Sequence, residues 1–350
     1  MAKPEFRSGL ETLRGLAALI VAMSHGRCAF VESDGTLSVA DRVLGIFQPA
    51  SAVVVFFVLS GYVLGQSLTS DTKYLAFSIR RLFRILPAFI VSVLFAYLVV
   101  SAVRIEPAPA LTTAFFRSVF WPAPTWGDVY DNLVMINSRV NGPTWSIWPE
   151  LVGSAILPVV ATIHGKAPQK YQWLVFAILA MVLAFSQVRF FLYFYAGYFV
   201  VPRVSRLIAE SPMARSVVLL GGLALLIAFG HDPVDFKSRT IIPSAMGATL
   251  LIAAIASTRY RLLEISPLRF LGRVSYSFYL LHWPFFYLCV MVVLKMAPFL
   301  AGAAANLVVM VVSTGATLVF AALSYRFIER PFMRLRSTDL SATIAPSPAV

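Results

Sequence analysis

The sequence predicts an all-α integral membrane protein with about ten transmembrane helices and both termini in the cytoplasm. Three observations lead there. Hydrophobic residues make up 59% of the 350 residues and charged residues only 13%, with a mean hydropathy of +0.80. A soluble domain carries about 25% charged residues. Ten apolar segments are candidates for bilayer spans, which need about 20 mostly apolar residues. The 29 Lys and Arg also divide unevenly between alternate connections, 19 on one side and 9 on the other, with Arg14 inside the first span.

The segments are, in order, 10–29, 50–68, 82–103, 147–163 and 171–186, then 190–201, 216–230, 241–258, 275–294 and 302–327. The first follows a short polar leader, holds Arg14 and His25, and lacks a small-residue cleavage site after it, so it reads as a retained span. The fifth and sixth are short and meet at 187–189, where one longer helix is the alternative. The side with 19 basic residues is cytoplasmic by the positive-inside rule, and it includes both termini, which requires an even number of spans. Merging the fifth and sixth would break that agreement. The membrane domain is expected over 1–331, with a flexible cytoplasmic tail over 332–350. The long connection 104–145, rich in Pro, Trp and Asn, falls on the outer side. It is a natural place for an external substrate to meet the protein.

The formal net charge of +13 therefore has a topological origin. A nucleic-acid binder would show the same charge on a polar surface of ordinary hydropathy, so no nucleic-acid partner is expected. The two cysteines, Cys28 and Cys289, form no CxxC pattern, and no metal-ligating, P-loop or dinucleotide-binding motif is present.

Ionisable residues within spans are functional candidates by default. Arg14 and His25 lie eleven residues apart on the first span, close to three helical turns. They project from one face, separated by roughly 16 Å along the axis. Arg14 falls near the cytoplasmic leaflet and His25 near the outer one; a snorkelling Arg and a backbone-bonded His are the plain alternative. Glu150, in NGPTWSIWPE, is placed at the outer start of the fourth span, where an interfacial carboxylate would also be favourable. His282 lies about two turns inside the ninth span, with Pro284 after it, so a carbonyl freed by the proline is a candidate partner. Arg80, Arg81 and Arg84 cluster at the inner end of the third span and could grip phosphate or anchor to anionic lipid headgroups. Ser60 and Gly61 allow close approach of a helix or ligand. His164 and His231 read as solvated loop residues.

The stretches LETLRGLAALIVAMSHG, FFVLSGYVLG, RRLFRILP, GPTWSIWPE, LGRVSYSFYLLHWP and YRFIERPF occur in the order seen in the type-3 membrane acyltransferases. The chain resembles that family from about residue 10 to residue 331. The family's members O-acylate bacterial lipopolysaccharide, exopolysaccharide, Nod factors and some antibiotics. The resemblance implies an O-acyltransferase of the bacterial inner membrane, with acyl-CoA (acetyl-CoA foremost) as co-substrate, a surface glycan or lipid-linked sugar as acceptor, and no metal. It places the catalytic residues at His25, Arg14 and Glu150. Arg80, Arg81, Arg84, Ser60, Gly61 and His282 are expected along the CoA path, and Trp145, Ser146 and Tyr276 at the acceptor. His25 is then a general base or an acyl carrier, and Glu150 either orients it or hydrogen-bonds the acceptor. Many members carry two acids after the Trp-Ser pair, whereas here Glu150 stands between Pro149 and Leu151. A transporter or flippase without acyl transfer is the alternative class, although its repeat-related halves are not seen in the sequence.

Overall fold

A computed structural model describes residues 7–32, 35–46, 48–68, 74–105, 110–186, 188–230, 238–300 and 302–334. The expected tail lies, from residue 335, outside them, as does His231. Among the described residues the protein is helical, and the extended pairing is a single bridge between Phe30 and Thr112. Fourteen α-helices run in order. They are α1 (Arg7–Gly26), α2 (Val39–Leu44), α3 (Pro49–Ser67), α4 (Tyr74–Ala102), α5 (Ala114–Phe120), α6 (Trp126–Leu133) and α7 (Ile147–Lys166). Then come α8 (Gln172–Ala184), α9 (Phe191–Phe199), α10 (Val201–Ile208), α11 (Pro212–Phe229), α12 (Ser238–Ser257), α13 (Ser266–Met296) and α14 (Gly302–Ser324), the last continued by a π-helical stretch, Tyr325–Glu329.

Each of the ten apolar segments falls on a helix, and seven helices among the described residues are long and apolar enough to cross a bilayer. The protein is a multi-pass membrane protein. α8 and α9 are separate helices, which answers the question left at 187–189. Outward-facing apolar side chains on α8 and α11, such as Leu174, Met181, Val217 and Leu220, fit a lipid-facing surface.

α13 is largely apolar and is buried over most of the stretch from Leu271 to Val293, so it forms the centre of the bundle. α1 packs along it. Gly15 and Gly272 mark their crossing: a Cβ on Gly15 would lie 2.7 Å from Gly272 N, and one on Gly272 would lie 2.5 Å from Glu11 O. Small residues at a crossing let two backbones touch. Gly61 and Gly197 do the same where α3 crosses α9, each facing backbone of the other helix.

The connection between α4 and α7 carries two short helices among its described residues, α5 and α6. Thr113 caps α5, and Thr125 with Asp128 forms a capping box on α6. Phe116 and Phe120 of α5 pack on Phe286 and Tyr287 of α13. Pro284 leaves the Leu280 carbonyl without its helical donor. Asn141 takes that carbonyl (3.1 Å) and also donates to Ser92 (3.1 Å), which pulls the segment before α7 into the bundle. Asn306 of α14 accepts from the backbone of Phe30 (2.8 Å) and donates to Asp41 (3.0 Å), fixing the end of α1.

Candidate functional site

Two neighbouring cavities are lined by described residues that the sequence singled out. The smaller, about 80 Å³, is lined by Arg14, Arg81, Arg84, Glu150, Ser60, Ser146, Ser275, Tyr276 and Tyr279, among others. Three guanidiniums face one carboxylate there. Arg81 forms an ion pair with Glu150, and Ser60 donates to the same carboxylate at 3.1 Å. Arg81 also donates from Nε to Ser154 (3.1 Å). The carboxylate thus occupies the place where an external anion would meet Arg81, and the volume left holds only a few waters.

The larger cavity, about 1160 Å³, is lined by His25, Trp145, Trp148, Trp283, Phe115 and Arg139, with other residues of the outer connection. Val53 and Tyr279 line both cavities and so stand between them. The Tyr279 hydroxyl donates to the Pro143 carbonyl (3.1 Å) and lies 3.1 Å from Ser146 Oγ. The 3₁₀ turn Gly142–Ser146 therefore pins the partition, with Trp145 on the outer cavity and Ser146 on the inner.

His25 sits in an aromatic wall, edge-on to Trp283 (5.0 Å between centroids) and near Phe115 (6.0 Å). Its Nδ1 lies 3.0 Å from Nε2 of His282. Nδ1 of His282 lies 2.6 Å from the Tyr279 carbonyl. His25 is half-buried and reaches the outer cavity; His282 is 2% exposed and lines neither.

The structure brings together most residues expected from the sequence but sorts them differently. Arg14 and His25 open onto different cavities, as their separation along one helix face implies. Arg81 and Arg84 line the inner cavity; Arg80, half-buried, does not. Tyr276 also lines the inner cavity, its hydroxyl donating to the Ile85 carbonyl (2.7 Å). Gly61 packs on the backbone of Phe194 rather than on a cavity.

Two expectations are corrected. Glu150 does not orient His25. The Gly142–Ser146 turn is already buried before α7 begins, so the helix starts inside the protein and its first turn reaches Arg81 of α4. His164 is not a solvated loop residue. It closes the last turn of α7, 2% exposed and 2.6 Å from the Tyr195 hydroxyl. His282 faces His25 and lines neither cavity. Tyr279 and Asn141 were not singled out from the sequence, although Tyr279 lies three residues before His282 in the same motif.

A family model described as an acyltransferase domain matches residues 7–326, nearly the whole chain. The chain belongs to the type-3 acyltransferase family. Among curated relatives of this acyltransferase is BcsY of Komagataeibacter xylinus, named as a membrane-bound transacylase. It is 26% identical over 303 residues, covering 79% of this chain and 72% of BcsY. The peptidoglycan O-acetyltransferase OatA of Listeria monocytogenes is 24% identical, covering 81% of this chain and 51% of OatA. The O-acetyltransferase OatA of Staphylococcus aureus (strain NCTC 8325 / PS 47) is 24% identical, covering 95% of this chain and 58% of that protein. The acyltransferase thus spans little more than half the length of the two OatA proteins. No solved structure matches it.

Proposed function

We propose that this protein moves an acyl group, acetyl foremost, from cytoplasmic acyl-CoA to a hydroxyl of a cell-surface glycan or its lipid-linked precursor, at the bacterial inner membrane. One observation carries the reading. A cavity with three arginines against one glutamate shares a wall, Val53 and Tyr279, with a larger chamber reached by His25. Arg14, Arg81 and Arg84 suit the phosphates of CoA, since guanidinium binds phosphate in bidentate fashion. The pantetheine arm would pass Tyr279 to bring the thioester to His25. The aromatic walls of the outer chamber suit a sugar ring, and two of the relatives are named O-acetyltransferases, one of them of peptidoglycan.

In the direct route, His25 removes the proton of the acceptor hydroxyl as its oxygen attacks the thioester carbonyl. The C–O bond forms, the C–S bond breaks, and the departing thiolate takes the proton from His25. In the two-step route His25 attacks the thioester carbonyl first and the C–S bond breaks to release the thiolate; the acceptor oxygen then takes the acyl group from His25, the nitrogen–carbon bond breaks, and the hydroxyl proton passes to the thiolate. The test is purified protein in proteoliposomes with radiolabelled acetyl-CoA, followed by free CoA and by label in extracted glycan. The wild type is expected to release CoA and label acceptor, and His25→Ala to do neither while melting at the same temperature. Wild-type protein that releases no CoA, as a transporter would, overturns the reading.

A further inference from the structure

We propose that His282 is a positioning residue that sets the tautomer of His25. Its place in the reaction rests on the acyl-transfer reading above. The inference follows from counting protons along three groups. A backbone carbonyl can only accept, so the 2.6 Å contact between Tyr279 O and His282 Nδ1 puts a proton on that nitrogen. A neutral imidazole carries one N–H, so Nε2 of His282 is a bare acceptor. The 3.0 Å contact from that atom to His25 Nδ1 then requires His25 to donate. His25 is left with its proton on Nδ1 and its lone pair on Nε2, the form that a base or nucleophile needs.

The geometry supports a directed bond. The two rings are parallel to within 1°, with centroids 5.2 Å apart and nitrogens 3.0 Å apart. Those values place the rings edge to edge in one plane rather than face to face. Imidazole lone pairs lie in the ring plane, so the contact has hydrogen-bond alignment. The pairing is built into the helices. From Gly15 to His25 and from Gly272 to His282 the interval is ten residues in each case. Gly15 meets Gly272 at one end and His25 meets His282 at the other, so α1 and α13 run parallel and in register. His282 is buried away from both cavities and acts only through His25.

When His25 takes the hydroxyl proton on Nε2, its Nδ1–H bond to His282 becomes charge-assisted and steadies the imidazolium. In serine hydrolases a buried carboxylate does this for its histidine, and loss of the correct tautomer lowers turnover about 10⁴-fold. Here a neutral histidine held by a carbonyl takes that place, and it adds no charge to an apolar site.

The experiment has a spectroscopic and a kinetic arm. In ¹⁵N-histidine-labelled protein in proteoliposomes, solid-state NMR is expected to show His25 with its proton on Nδ1 and a bare Nε2. Comparison with His25→Ala and His282→Gln provides the assignment. His282→Leu is expected to lower kcat roughly 10²- to 10⁴-fold with KM within about twofold. His282→Gln, whose carbonyl can accept from His25, is expected to recover at least about tenfold of that loss. A His25 proton on Nε2 in the wild type overturns the proposal, as does wild-type turnover in His282→Leu or failure of Gln to improve on Leu. Absence of acyl transfer in the wild type removes the catalytic use of the tautomer, and the spectrum then separates that failure from a wrong proton assignment.

Discussion

Arg81 lies near the start of α4 and Glu150 in the first turn of α7, and each accounts for the other's burial. Neither could remain in an apolar bundle without a partner, since breaking a buried pair leaves a charge uncompensated. The same carboxylate competes with any anion that approaches Arg81. Glu150→Gln should therefore lower the melting temperature, by about 1–3 kcal/mol in stability. Added CoA should then raise it by more in the variant than in the wild type, because a binding anion now restores a lost partner. Thermal melts followed by tryptophan fluorescence, with and without CoA, make the comparison. An equal or smaller shift in the variant would place the anion elsewhere.

At the scale of elements, the contact of α1 with α13 decides whether the two histidines meet. The helices touch backbone to backbone at Gly15 and Gly272, and that crossing holds the pair in register ten residues further on. Gly272→Ala would put a methyl group 2.5 Å from the Glu11 carbonyl, so the helices must part. The expected cost is about 1–3 kcal/mol, with a loss of acyl transfer larger than the stability change explains. Gly315→Ala on α14 is the matched control. Its added Cβ meets nothing within 4 Å, so it should be neutral or stabilising by up to about 1 kcal/mol. Melting temperature and labelled-acetyl transfer, measured on both variants, separate the crossing from a general effect of replacing glycine.

For the whole molecule, the bundle separates an arginine-lined cavity from a chamber walled by the outer connection. The charge asymmetry of the sequence predicts that chamber on the outside. Cys28 lines it, whereas Cys289 is buried at 8% exposure. A membrane-impermeant thiol reagent applied to spheroplasts should modify Cys28 and spare Cys289, as read by mass spectrometry of the purified protein. Modification of Cys28 only after the cytoplasmic face is exposed would invert the orientation.

Hydropathy and charge determine, from the sequence alone, that this is a helical membrane protein, where its ten apolar segments lie, and how unevenly its arginines divide between alternate connections. Those properties depend on residues near one another in the chain, so they can be read along it. The motifs also single out Arg14, His25, Arg80, Arg81, Arg84, Glu150 and His282, among others, as site candidates. What they do not carry is the partnership of each. His25 and His282 are 257 residues apart, and Arg81 and Glu150 are 69 apart. Such pairs are set by helix crossings and by a buried turn before α7, which a linear reading places at the surface. Only the tertiary structure decided that Glu150 belongs to the arginines, that Tyr279 divides the two cavities, and that His25 leans on a second histidine. The physical reason is common to all three: a group buried in an apolar bundle must find its hydrogen-bond partner in space, whatever its distance in sequence.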